Sequence, residues 1–517
     1  MSGALLIAGT ASDAGKSLVC AGICRWLARR GVRVAPFKAQ NMALNSCVTP
    51  AGAEIGRAQV MQAAAAGVEP EAAMNPVLIK PSGAGRSQVV LMGRPYAEAD
   101  ARGYQSLRAQ LRDPVLDALA DLRARVDVVV CEGAGSPAEI NLRAGDLANM
   151  GLARAAGLPV VVVGDIDRGG VFAALYGTLA LLGRADQALV AGFVINRFRG
   201  DRAVLEPGLA QLCELTGRPV LGVLPHLEGL WLDAEDSLAL ERPARPVAAP
   251  LGADTLEVAV VRLRWISNFT DVDALGTEPG VQVRFTRSAA DVQRADLVVV
   301  PGTKATVEDL EGLRADGLAE ALVRRARAGA PLLGLCGGYQ MLGEAIVDEV
   351  ESGRGAVDGL GLLPVRTVFS AHKLLRRVTG SAPALGGVPA HGYEIRHGRV
   401  QRRGGEALLA PVADTGTADP GGGLSGEGCM QGTVLGTSWH GVLEGDELRR
   451  ALLGWVVRTR GRDWRAGNES FAAVRERHLD RLGDLIEEHA DTHALRALLD
   501  GGAPDGLPTL PAAGVAA

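Results

Sequence analysis

Short runs of Val, Leu and Ile without polar alternation recur along this 517-residue chain, most of them leading into a glycine-containing turn and then a helical pattern. Runs of that kind suit strands covered on both faces, the condition of a parallel sheet flanked by helices. In the first part of the chain, strands are expected at Ala4–Ala8, Val32–Pro36, Val126–Cys131, Pro159–Val163, Ala188–Ile195 and Leu221–Leu224, with a helix over Leu18–Arg30. The segment Glu241–Asp254 is rich in Pro and Ala and has no periodicity, which places a linker over 241–255. A second series follows, with strands at Leu256–Arg262, Val281–Phe285, Asp296–Val300 and Pro331–Leu335 and a helix over Ala319–Ala328. The chain therefore reads as two doubly wound, mainly parallel α/β domains, 1–240 and 256–460. A Gly-rich loop or irregular hairpin is expected over 404–432. The tail, 461–517, is expected to be helical over Ser470–Leu499 and disordered beyond Gly501.

Bulk properties narrow the function classes. Hydrophobic residues at 47% and charged residues at 22% are the balance of a soluble globular protein. A net charge of -5 argues against general nucleic-acid binding, which needs a basic stripe. No window holds 18 uninterrupted apolar residues, and the N-terminus reads as a strand running into a loop, so neither a membrane span nor an export signal is expected. Seven scattered cysteines without a CxxC suit a reducing compartment, and a cytoplasmic location is expected.

The stretch from Gly9 to Gly15-Lys16-Ser17 lies between the first strand and the first helix. Backbone N–H groups there point at an anion, and the helix dipole favours negative charge. Thr10, Asp13, Gly15, Lys16 and Ser17 are the candidate nucleotide-binding residues, with Lys16 on the β/γ-phosphates and Ser17 on Mg²⁺. Five residues rather than the usual four separate Gly9 from Gly15. A second Mg²⁺ ligand is expected at a neighbouring strand end, where Glu132 opens Glu132-Gly133-Ala134-Gly135. Lys38, just after the second strand, is a further cation for a transferring phosphoryl group.

Gly334-Leu335-Cys336-Gly337-Gly338 has the layout of a nucleophile elbow, a sharp turn between strand and helix. The Gly337 N–H and the loop Pro301-Gly302-Thr303 are the candidate oxyanion donors. Among eight histidines, His440 has the best context for a base, flanked by Trp439 and Gly441 after Val434–Leu435. The other cysteines lack a convincing base. His489 and His493, beside Glu487 and Glu488, read as a solvated helix face.

The long loop GTASDAGKS, the Lys of PFK and the strand-end EGAG are similar to the dethiobiotin synthetase-like ATPases, and GLCGGYQMLG resembles the class I glutamine amidotransferases. That fused order resembles the cobyrinate amidase family. Longer segments carry the resemblance from about residue 4 to 460, among them FKAQNMALNS, EGAGSPAEINLR, GDIDRGGVFAALYGTL, ISNFTDVDAL, PGTKATVEDL and HGYEIRHG. The resemblance implies amidation of the b, d, e and g side-chain carboxylates of adenosylcobyrinic acid a,c-diamide, with ATP, Mg²⁺ and glutamine as ammonia donor. Formation of the a,c-diamide is the nearest alternative, and a P-loop switch ATPase is a more distant one. Class I domains often complete a triad with Glu two positions after the His; here that position is Val442, as the resemblance to the cobyrinate amidases allows. What orients His440 stays open, with Glu444 and Asp446 both nearby in sequence. Ala305 stands where the family often has Asn. A small-molecule corrinoid and glutamine are the implied partners; Asn41, Asn45, Arg57 and Arg143 are candidate corrinoid contacts.

Overall fold

The computed structural model describes residues 3–82, 85–230, 247–412 and 425–511. Part of the expected linker, the middle of the Gly-rich stretch 404–432 and the last residues of the tail lie outside that set.

Both expected sheets form, and most of their strands are built from the apolar runs. The first is six-stranded and wholly parallel. Its edge-to-edge order is Val220–Pro225, Val190–Phe198, Val160–Asp165, Gly3–Gly9, Val128–Glu132 and Val34–Phe37. Leu5, Leu6 and Ile7 are fully buried, as strands covered on both faces require. The second sheet runs Val281–Thr286, Leu256–Val261, Leu297–Val300, Leu332–Leu335 and Val434–Thr437 in parallel, with Cys429–Gln431 antiparallel at its edge. In both sheets the chemistry-bearing residues follow the carboxyl ends of central strands, where open α/β sheets place their ligands.

Three features depart from the sequence reading. A four-stranded sheet is inserted in the first domain, built from Gln40–Met42, Val77–Ser82, Arg86–Leu91 and Arg94–Asp100. Its last strand is largely exposed and polar, so it lacks the apolar run that marks the others. A long hairpin, Val365–Ala382 with Val388–Arg402, carries many Arg and Lys residues for the same reason and leans on the first domain.

The third departure is the tail. Its helices Phe471–His489 and Thr492–Gly501 turn back onto the first domain. Leu479, Leu482, Ile486, Leu495 and Leu498 join one core with Val19, Cys20, Ile23 and Leu27 of helix Lys16–Ala28. Gly22 permits the approach, because a Cβ there would lie 2.8 Å from the Leu482 carbonyl oxygen. Arg25, Arg29 and Arg30 pair along the seam with Asp480, Asp484 and Glu487. Over 502–511, part of the stretch where disorder was expected, the chain stays attached: Arg218 donates to the Pro508 carbonyl, and Leu510 N–H donates to Gln187 at 2.7 Å. No helix among the described residues is long and apolar enough to cross a membrane.

Candidate active site

The nucleotide end is assembled from three adjacent strand ends. Gly15 starts helix Lys16–Ala28 with φ +98°, a conformation L side chains rarely adopt, and a Cβ there would fall 2.0 Å from Asn196 Nδ2. Asn196 in turn donates to the Ala14 carbonyl at 3.0 Å, tying the loop to strand Val190–Phe198, two strands away in the sheet. Lys16 Nζ donates to the Ala11 carbonyl across the loop at 2.9 Å. Thr10 N–H is held by the Val163 carbonyl at 2.9 Å. The Asp13 carboxylate pairs with Arg197 at 3.1 Å and Arg168 at 3.2 Å, and Arg197 also reaches Asp165 at 2.7 Å. That set braces the loop from its outer side.

Glu132 is the hub. Its Oε1 accepts from Ser17 Oγ at 2.9 Å and from Lys38 Nζ at 2.8 Å, and its Oε2 accepts from the Gln62 amide. Burial alone would raise this carboxyl, but Lys38, Gln62 and Lys16 outweigh it and hold Glu132 below its ordinary range. The expected convergence of Ser17, Lys38 and Glu132 is therefore present. Gln62, on helix Arg57–Ala66, is an addition that the sequence reading did not contain. A hydroxyl and a carboxylate on one point are the oxygen donors a hard divalent cation takes. Close by, the buried Asn149 Oδ1 has no hydrogen-bond partner and lies against Gly133, next to Glu132. These residues fit Mg²⁺ shared with a nucleotide phosphate.

At the second end, strand Leu332–Leu335 stops at Cys336, whose φ of +48° and ψ of -106° make it one of few non-glycine residues with positive φ. The turn is fixed by Cys336 N–H to the Thr437 carbonyl at 2.8 Å and by Gly338, where a Cβ would meet the Val300 carbonyl oxygen at 2.0 Å. The nucleophile elbow expected from sequence is thus a strained turn in fact. His440 follows strand Val434–Thr437, and the Cys336 side chain is among the groups that raise its imidazole. Gly302 belongs to the same site, since a Cβ on it would lie 3.0 Å from His440 Cε1. Gly337 packs on Thr303 of the same loop.

The group that orients His440 is Asp271, on the 3-10 segment Phe269–Thr277. Its Oδ2 faces His440 Nδ1 at 2.7 Å, and its Oδ1 accepts the Gly441 N–H at 2.8 Å. Neither residue left open by the sequence does this. Glu444 pairs with Arg57, and Asp446 pairs with Arg449 at 2.6 Å and caps Phe471 N–H. Burial opposes the imidazolium, yet Asp271 and Cys336 raise His440 to about 10. Tyr393 stacks on the ring, centroids 5.6 Å apart. Below the base, buried Glu427 accepts from Thr437 Oγ1 at 2.6 Å and Ser438 N–H at 2.7 Å; burial pushes its carboxyl up to about 7.

A cavity beside Cys336 is lined by Thr303, Lys304, Gly337, Gln340, Glu351 and Arg396, with Lys80 and Lys373 reaching it from the inter-domain seam. It offers both signs of charge at the mouth of the elbow. The four candidate corrinoid contacts are otherwise engaged. Asn41 donates to Gln59 at 2.9 Å, Asn45 Oδ1 accepts from Phe269 N–H at 3.2 Å, Arg57 pairs with Glu444, and Arg143 grips Asp186 at 2.6 and 2.7 Å. Arg143 alone also lines an open groove, which continues to Ala134 and Ser136 of the strand-end loop. No cluster of three or more metal-ligating side chains occurs among the described residues, His489 and its neighbours included.

Residues 5–238 match the CobQ/CobB/MinD/ParA nucleotide binding domain family, and residues 257–448 match the CobB/CobQ-like glutamine amidotransferase domain family. Fold and site together define a glutamine amidotransferase joined to a nucleotide-binding synthetase domain. The cobyric acid synthase of Frankia casuarinae is 59% identical over 99% of this chain and 99% of its own length. That of Streptomyces avermitilis is 59% identical with the same coverage, and that of Mycolicibacterium paratuberculosis 54% identical over 98% of both. The chain belongs to the cobyric acid synthase family.

Proposed function

We propose that this protein amidates the b, d, e and g carboxylates of adenosylcobyrinic acid a,c-diamide, using ATP, Mg²⁺ and glutamine. The observation that carries the reading is the placement of His440 between Cys336 and Asp271 in one half, while the other half gathers Lys16, Ser17, Lys38 and Glu132 at a phosphate-binding turn.

A carboxylate resists ammonia because oxide would have to leave. In the first half a corrinoid carboxylate oxygen attacks the γ-phosphorus of ATP, the β–γ bond breaks, and ADP leaves an acyl phosphate behind. Lys16 and the loop N–H groups hold the phosphates, Gly15 permits their close approach, and Thr10 and Asp13 keep the loop in shape. Ser17 and Glu132 would hold Mg²⁺, which would supply charge neutralisation on the phosphates. Lys38 stays within reach of the same oxygens.

In the second half the Cys336 sulfur attacks the glutamine carboxamide carbon, and the N–H groups of Gly302 and Gly337 receive the oxyanion. His440 gives its proton to the departing ammonia, then takes one from the water that cleaves the thioester. Asp271 keeps Nδ1 occupied, so Nε2 is the nitrogen that works. Ammonia then attacks the acyl carbon, phosphate leaves, and the amide is complete.

The test is incubation with ATP, Mg²⁺, glutamine and adenosylcobyrinic acid a,c-diamide, with amides located by tandem mass spectrometry. Amides at b, d, e and g, with ADP and glutamate formed alongside, support the reading. New amides only at a and c, on a cobyrinic acid substrate, overturn the assignment of positions.

A further inference from the structure

The glutaminase base is held from behind by the other domain. Asn45 Oδ1 accepts the Phe269 N–H at 3.2 Å, and Ser46 N–H donates to Asn268 Oδ1 at 3.0 Å, so the segment that carries Asp271 is fastened to the nucleotide domain at its first residues. Tyr393, stacked on His440, donates its hydroxyl to the Ser46 carbonyl at 3.2 Å. Glu444, one turn past His440, pairs with the buried Arg57, and Arg475 of the tail lies 3.7 Å from its other oxygen. The Glu444 N–H also bonds the Gly441 carbonyl at 3.0 Å, which leaves little slack between Glu444 and the residue whose N–H Asp271 grips.

Arg57 is the first residue of helix Arg57–Ala66, and Gln62 on the same helix bonds Glu132. Five residues on an α-helix span about 7.5 Å, so the two side chains are fixed ends of one stiff rod. One end touches the carboxylate beside the phosphate-binding loop, and the other touches the turn after the glutaminase base.

We infer that Arg57 and Glu444 are positioning residues that couple the two sites, so that nucleotide and substrate bound around Glu132 set the placement of His440 against Cys336 through helix Arg57–Ala66. Ammonia release is thereby tied to readiness of the acyl acceptor. A ligand changes such an equilibrium only by binding one arrangement better than the other. Glu132 supplies that difference, because the ligands of the nucleotide site and Gln62 compete for its oxygens.

The inference rests on the proposed roles of Cys336 and His440, and the experiment separates the two. Glutamate release by the full-length enzyme is measured with and without ATP, Mg²⁺ and adenosylcobyrinic acid a,c-diamide, for wild type, Arg57→Gln, Glu444→Gln and the conservative Arg57→Lys. Wild type is expected to release glutamate faster in the presence of the synthetase substrates. Arg57→Gln and Glu444→Gln are expected to lose that stimulation and to release more glutamate per amide formed, with amidation from free ammonia retained. Arg57→Lys is expected to restore stimulation. A merely structural pair would lower both rates together and leave their ratio alone, and that result overturns the coupling. Wild-type glutamate release that ignores the synthetase substrates also overturns it while leaving the proposed function standing. Absence of glutamate release under every condition sinks both.

Discussion

Asp271 offers the sharpest quantitative expectation. It makes two bonds that an amide cannot both reproduce, accepting from His440 Nδ1 at 2.7 Å and from Gly441 N–H at 2.8 Å. In Asp271→Asn the shape is kept, but one of the two contacts must set an NH₂ group against an N–H. Losing one hydrogen bond to a charged group costs about 1.5–3 kcal/mol, which is about 10- to 150-fold in rate if it is expressed in the transition state. If the amide donates to Nδ1 instead, the imidazole is forced into the wrong tautomer, and the loss extends toward about 10⁴-fold, the size that this change has in a hydrolase triad.

The pH profile gives an independent sign. Burial by itself lowers His440, and Asp271 leads the groups that raise it to about 10. The imidazolium is present below that value and is lost as pH rises through it. Without the Asp271 charge the transition falls, so the basic limb of the glutaminase profile moves to lower pH. The assay is glutamate release against pH for wild type and Asp271→Asn, with ammonia-driven amidation as the control for folding. Wild-type glutaminase rates with an unmoved basic limb would refute the assignment of Asp271.

Lys16→Ala removes one preorganised phosphate contact and should slow amidation by about 100- to 1000-fold while leaving the basal glutamate release, measured without ATP and corrinoid, intact. Gly302→Ala places a Cβ 3.0 Å from both His440 Cε1 and the Ser267 carbonyl oxygen and should cut glutaminase kcat by about tenfold or more through displacement of the base. Leu482→Ala opens a cavity between the tail and helix Lys16–Ala28 and should cost about 2–5 kcal/mol in urea unfolding. An effect confined to the second domain would contradict the tail's assignment to the first.

Both sheets were legible because their central strands are buried on both faces and so are written in near-continuous Val, Leu and Ile, whereas the edge strands Val281–Thr286 and Cys429–Gln431 are partly exposed. Cys336 and His440 were legible because tight glycine-flanked turns at strand ends leave a local signature. Asp271 was not, since its link to His440 exists only through space, 169 residues apart in sequence. A faint signal was present in Asn268, Thr270, Asp271 and Asp273, a polar cluster that is buried throughout and so must have partners. Gln62 was hidden differently: helix Arg57–Ala66 is half alanine with little amphipathic contrast, which gives periodicity nothing to work on. The tail helices were visible as helices, but an apolar stripe does not name the surface it covers. Arg57, Asn45 and Asn41 show what polar character in a family-like segment leaves unsaid: all three are buried and each bonds a protein group, which the sequence did not indicate.

The most direct test of the division between a carboxylate-activating half and an ammonia-supplying half is to follow the nitrogen. With [amide-¹⁵N]glutamine, ATP and Mg²⁺, wild type should place ¹⁵N in the corrinoid amides. Cys336→Ser should place none there from glutamine, yet it should incorporate ¹⁵N from ammonium. Transfer of glutamine nitrogen by Cys336→Ser, or failure of ammonium to rescue a folded Cys336→Ser protein, would contradict the account.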